Sequence, residues 1–130
     1  MNISFENKVV IITGASGGIG GGMVERFAQD GATVILCARR GTEEAAEKLR
    51  AEGYSAYGYP LDITDREAVK AVMADVAARF GKIDVLVNNA GINVGPDQRN
   101  FVDNFSDEWW EKILKVDLDG TYNCTKLAVP

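Results

Sequence analysis

At 130 residues, 46% hydrophobic and 25% charged, the chain is ordinary globular material, enough for one domain (1–130) and no more. A net charge of −5 argues against a nucleic-acid surface, since phosphate contacts need a basic face. No apolar run is long enough to span a bilayer, and Met1–Glu6 has no signal-peptide pattern; the two cysteines fit a reducing cytoplasm, and the lack of histidine and of CxxC argues against a zinc site.

In chain order, Lys8–Thr13 is an apolar, β-favouring run and is expected to be a buried strand. A glycine-rich turn follows at once, and then a helix over about Gly18–Asp30 with Ile19, Met23 and Phe27 on one face and Gly31 at its end. Thr33–Cys37 is a second β-branched run, and Thr42 to about Glu52 a second helix with Glu43 and Glu44 in its first turn. Tyr54–Tyr59 is a shorter third strand. Thr64-Asp65-Arg66-Glu67 has the form of a capping box, and behind it Val69, Val72, Val76 and Phe80 keep helical spacing up to Gly81. Ile83–Val87 is the fourth strand. Asn93–Phe105 is the least regular segment, after which Ser106 can cap a last helix.

Apolar strands separated by amphipathic helices imply an α/β fold, a parallel sheet with helices on both faces. Right-handed crossovers then put the glycine turn at the carboxyl edge of the sheet, where open α/β folds bind ligands. Strand, glycine turn and helix N-terminus together can hold a pyrophosphate: glycines admit the anion and the first-turn N–H groups point at it. The spacing Gly14-x-x-x-Gly18-x-Gly20 is neither the strict G-x-G-x-x-G fingerprint nor a P-loop, because no Gly-Lys-Ser/Thr follows. Taken alone it is a weak signal.

Three motifs in order strengthen it. Thr13-Gly14-x-x-x-Gly18-Ile19-Gly20 resembles the cofactor turn of the short-chain dehydrogenase/reductase family. Asn88-Asn89-Ala90-Gly91, directly after the fourth strand, resembles that family's second signature, and Asp62 in Leu61-Asp62-Ile63 its adenine-contacting acid. The resemblance covers essentially the whole chain and implies a Rossmann-like sheet of strand order 3-2-1-4. It implies that Gly14, Ser16, Gly17, Gly18, Ile19 and Gly20 contact the phosphates and ribose. Asp62 and Ile63 would lie at the adenine, and Asn89, Ala90 and Gly91 along the cofactor ribose, with Asn88 tying strands together.

Cofactor choice turns on the end of the second strand. An acid there would accept both ribose hydroxyls and repel a 2′-phosphate, but the chain reads Leu36-Cys37-Ala38-Arg39-Arg40. Arginine forks onto phosphate, so NADP(H) is favoured over NAD(H). Arg39 stands where NADP-preferring members look similar, while Arg40 is either a second contact or a surface arginine. Gly17 weighs on the other side, since many such members carry a further basic residue there.

The resemblance implies alcohol/carbonyl interconversion on a small molecule, with a tyrosine, a lysine four residues later and an upstream serine. Tyr122 and Lys126 have that spacing but fall too early, with no serine-bearing fifth strand before them. Asp117, in Val116-Asp117-Leu118-Asp119-Gly120, occupies the position of a family asparagine thought to hold a relay water. It is the one candidate catalytic residue, and its charge puts that role in doubt. Trp109, Ile113 and Val116 give the last helix one apolar face and Trp110, Leu114 and Leu118 a second, and the resemblance implies a homo-oligomer through it. Asp97, Gln98 and Arg99 suggest a polar substrate. The chain stops in what still reads as helix, after four strands, and is expected to be the amino-terminal half of a longer enzyme. A non-catalytic nucleotide-binding module, or an assembly domain built on the last helix, are the alternatives.

Overall fold

The computed structural model describes residues 3–130. Four parallel strands, β1 (Val9–Thr13), β2 (Thr33–Ala38), β3 (Ala56–Pro60) and β4 (Val85–Val87), lie in the order β3-β2-β1-β4. Val9 pairs with Thr33 at one end of the central ladder and Thr13 with Cys37 at the other. The helices are α1 (Gly18–Gln29), α2 (Thr42–Ala51), α3 (Arg66–Phe80), α4 (Asp107–Leu114) and α5 (Thr121–Ala128). This is the parallel α/β sheet the alternation implies, in the Rossmann-like order the family resemblance implies.

Period-two alternation in β1 and β2 builds two cores. Val10, Ile12, Val34 and Leu36 meet Val24 and Ala28 of α1 and Ala46 and Leu49 of α2 on one face. Val9, Ile11, Ile35 and Cys37 meet Val69, Met73 and Val76 of α3 and Cys124 of α5 on the other. Burial on both faces is why these strands read as unbroken apolar runs. It also pushes the Cys37 thiol up to about 12 and Cys124 up to about 11, so neither is an available thiolate near neutral pH.

Several local expectations need correction. Ile19 is 80% exposed, while Met23 and Phe27 pack half-buried against the core beside the fully buried row of Gly20, Val24 and Ala28. The cap of α3 is Asp65, which accepts from the Ala68 amide at 3.1 Å, not Thr64. Thr64 is held elsewhere, by Asp62. β4 starts at Val85 rather than Ile83, because the Asp84 carboxylate takes the Val9 amide at 2.8 Å and replaces a ladder bond. Asn88 does not tie strands together: its amide donates to Thr125 Oγ1 on α5 at 3.0 Å.

α4 is capped by Ser106, which accepts from the Trp109 amide at 3.3 Å. It runs through one wide π turn, Lys115–Gly120, directly into α5. The irregular segment before it forms two short 3-10 turns, Pro96–Gln98 and Val102–Asn104. Among the described residues, no helix is long and apolar enough to cross a membrane.

Gly21 and Gly22 sit inside α1, and a Cβ at either would meet nothing within 4 Å. Gly21→Ala and Gly22→Ala should each raise stability by up to about 1 kcal/mol, by helix propensity alone. Gly20→Ala should do the reverse, since its Cβ would lie 2.0 Å from the Gly14 carbonyl oxygen. Urea unfolding of the three variants checks both signs.

Candidate functional site: a cleft at the carboxyl edge of the sheet

The site begins with a clasp between the ends of β1 and β4. The buried Thr13 hydroxyl accepts from the amides of Asn89 (3.1 Å) and Ala90 (3.0 Å) and donates to the Val87 carbonyl (3.4 Å). The Asn89 side-chain amide returns the contact, donating to the carbonyls of Thr13 and Gly14, each at 3.1 Å. Gly14 adopts φ +63°, and a Cβ there would stand 2.9 Å from Ala90 Cα. Only glycine permits this approach. The turn after β1 and the loop after β4 are thereby fixed as one unit.

α1 begins from that unit with no side-chain cap and no acid in its first turn. Gly17 and Gly18 face open space, with nothing within 4 Å of where a Cβ would be. The helix end therefore offers unobstructed N–H groups and positive dipole potential, the requirement for a bound diphosphate. A pyrophosphate fits this cradle.

Beside it opens a cleft of about 670 Å³. Gly14, Ser16, Arg39, Arg40, Asp62 and Ile63 all line it, as do Ala90 and Gly91. Gly17 and Gly18 face the adjoining groove between α1 and α2, which shares Ser16 with the cleft. Ile19, Gly20, Asn89 and Asp117 line neither. Gly20 serves by letting α1 close on the turn and Asn89 by the clasp.

Asp62 is exposed and shaped by Thr64, whose hydroxyl (2.7 Å) and amide (2.9 Å) both donate to Oδ1. Those bonds, with Arg39 and Lys115 nearby, hold its carboxyl below the usual range. Asp62 is thus an anionic acceptor, with Oδ2 free of hydrogen bonds among the described residues. Arg39 and Arg40 are exposed at the mouth.

Asp117 is on the π turn. Its Oδ1 accepts from the Ile92 amide at 2.8 Å, and its carboxylate packs against Gly91, at 3.4 Å from the position of a Cβ. Gly91, Ile92 and Asn93 form a cleft wall, so Asp117 acts on the cleft by holding that wall. Asp97, Gln98 and Arg99 do not reach the cleft, which leaves the polar-substrate expectation without support from them. Tyr122 and Lys126 are adjacent on α5, Nζ to hydroxyl 3.2 Å, and that contact holds the phenol below its usual range. Neither lines the cleft. Sequence reasoning missed Thr13 as the clasp, together with Trp109, Lys112 and Lys115, which line the wall facing Arg39. No spacing rule marks the latter three, because they meet the cleft only through tertiary packing.

A parallel sheet with a glycine turn, an uncapped helix and a cleft at its carboxyl edge defines a nucleotide-binding α/β protein. Comparison with known proteins makes this specific: residues 8–130 match the short chain dehydrogenase model, and the chain belongs to that family. It is 40% identical over 129 residues to meso-2,3-butanediol dehydrogenase of Serratia marcescens, covering 97% of this chain and 49% of that protein. The structure of a gluconate 5-dehydrogenase from Burkholderia cenocepacia with NADP and tartrate superimposes with a TM-score of 0.88 at 31% identity, covering 96% of this chain and 48% of that one. An NAD+-bound xylitol dehydrogenase gives 0.85 at 32% identity, covering 95% and 47%. The chain thus spans about half the length of the relatives it matches.

If Asp117 works by its hydrogen bond and not by its charge, Asp117→Asn keeps the Oδ1 acceptor and should leave stability within about 0.5 kcal/mol. Asp117→Ala should cost about 1 kcal/mol and speed amide exchange at Ile92. Urea unfolding with exchange NMR distinguishes the two.

Proposed function

We propose that the polypeptide to which this chain belongs is an NADP(H)-dependent oxidoreductase interconverting an alcohol and a carbonyl, and that these residues form its cofactor-binding half. The observation that carries the cofactor preference is the pair Arg39 and Arg40 at the cleft mouth, with no acid at the end of β2. In this reading the N–H groups of Gly17–Gly20 receive the pyrophosphate, with Ser16 and Ile19 beside it. Arg39 forks onto a 2′-phosphate and Arg40 adds a second cation. Asp62, kept ionised by Thr64, accepts from the adenine amino group next to Ile63. Asn89, Ala90 and Gly91 back the ribose, with Asn89 acting through the clasp. The bound nicotinamide would supply or receive the hydride. Asp117 positions the wall beside it, a structural contribution to catalysis. Two buried thiols suit a reducing cytoplasm.

Trp109 lines the cleft, so quenching of its fluorescence can report binding. NADPH should bind at least about tenfold tighter than NADH, about 1.4 kcal/mol, and Arg39→Ala should erase the difference. Equal affinities or a preference for NADH would overturn the assignment.

The same reading includes a homo-oligomer through α4 and the turn after it. Trp110, Leu114 and Leu118 are 59%, 37% and 62% exposed, an apolar strip open to solvent. Trp110→Asp with Leu118→Asp should convert the gene product to monomers in analytical ultracentrifugation. A wild type that is already monomeric would remove this part.

A further inference from the structure

The cleft has two walls, and both are cationic. Arg39 and Arg40 stand on one, and Lys112 and Lys115, from α4 and the π turn, on the other. Asp62 is the single carboxylate among the lining residues, so four cations face one acid in a chain of net charge −5. The neighbouring groove between α1 and α2 has the opposite balance, with Glu25, Glu44 and Glu52 against Lys48.

The lysines are more than solvated surface charge. They are three residues apart and so share a helix face, here the face turned to the cavity. The Lys112 ammonium lies 4.7 Å from the ring centroid of Trp109, itself part of the wall, which holds that side chain at the cleft. Asp62 is held ionised first by Thr64, and after that by Arg39 and Lys115. Both walls therefore act on the same carboxylate, which sits at the adenosine end in the reading above.

We propose that Lys112 and Lys115 are nucleotide-specificity residues, and that the wall they form works with Arg39 and Arg40 to select the adenosine phosphate bearing the greater negative charge. The inference rests on the NADP(H) reading and adds a second set of residues to it. A phosphate monoester carries about −1.5 to −2 charges at neutral pH, and a cleft with three uncompensated positive charges favours it over the bare ribose hydroxyl.

The test titrates adenosine 2′,5′-bisphosphate and 5′-AMP by calorimetry into the intact gene product. The proteins are wild type, the double variant Lys112→Gln/Lys115→Gln, the charge-keeping Lys112→Arg/Lys115→Arg, and Arg39→Ala. Both lysines are exposed, so the changes leave the core untouched. Wild type should prefer the bisphosphate. The double glutamine variant should lose about fivefold of that preference at low salt and much less at high salt, while 5′-AMP changes by less than about twofold and the arginine variant behaves as wild type. A glutamine variant with the full preference, or one that loses both ligands equally, overturns the lysine assignment. Equal binding of the two ligands by wild type sinks the NADP(H) reading and the inference together. A preference abolished by Arg39→Ala but untouched in the glutamine variant leaves that reading standing and removes only the lysines.

Discussion

The clasp between Thr13 and Asn89 is the constraint on which the rest depends. A buried hydroxyl has one proton and two lone pairs, and Thr13 uses all three, toward Val87, Asn89 and Ala90. The Asn89 amide then satisfies two carbonyls at the end of β1. The Asn89 backbone amide also reaches the Val87 carbonyl at 3.1 Å, so where the ladder stops the two strand ends are closed by one bonded cluster. The close approach of Gly14 to Ala90 follows from the clasp, as does the approach of α1 through Gly20. The free helix end is held over the strand edge by bonds that leave it unobstructed. Binding geometry and fold stability share the same few atoms.

The acids beside the sheet are managed in different ways, Asp84 at its amino edge and Asp117 and Asp62 at its carboxyl edge. Asp84 is spent on the sheet, taking the Val9 amide and pairing with Lys82 at 3.0 Å. Asp117 is spent on the Gly91–Ile92 wall. Asp62 gives one oxygen to Thr64 and keeps the other open toward the cleft. Only this last carboxylate faces the cavity, which is why a chain of net negative charge can present a positive cleft.

Much of this was legible beforehand. Strand identity followed from the apolar runs of Val9–Thr13 and Thr33–Cys37, because burial on both faces leaves little room for polar residues, while the strand order followed from the family resemblance. The glycine turn, Arg39 and Asp62 could be found because their chemistry is tied to the ends of strands. The Thr13–Asn89 clasp was not legible, since threonine is an ordinary strand residue and the partners are about 75 positions apart. Thr64 looked like a cap because its spacing to Glu67 fits, but the Asp62 carboxylate is a stronger acceptor two residues away, and Asp65 was left to cap α3.

The π turn accounts for the hardest feature to read, the two apolar rows of the last helix. A straight helix would carry one row onto the core, and the rows Trp109–Ile113–Val116 and Trp110–Leu114–Leu118 look like one face too many. An i→i+5 turn over Lys115–Gly120 shifts the register between α4 and α5. Val116 and Cys124 can then both belong to the core on the α3 face, while Gly120 lies against Ile63, where a Cβ would come within 2.5 Å of Cδ1. The same shift allows Asp117 to reach Ile92 while Lys115 faces the cleft and Leu118 is left outside. One wide turn thus divides a single helix into a cleft wall, a core element and an exposed apolar strip. A sequence period fitted to 3.6 residues cannot represent all three.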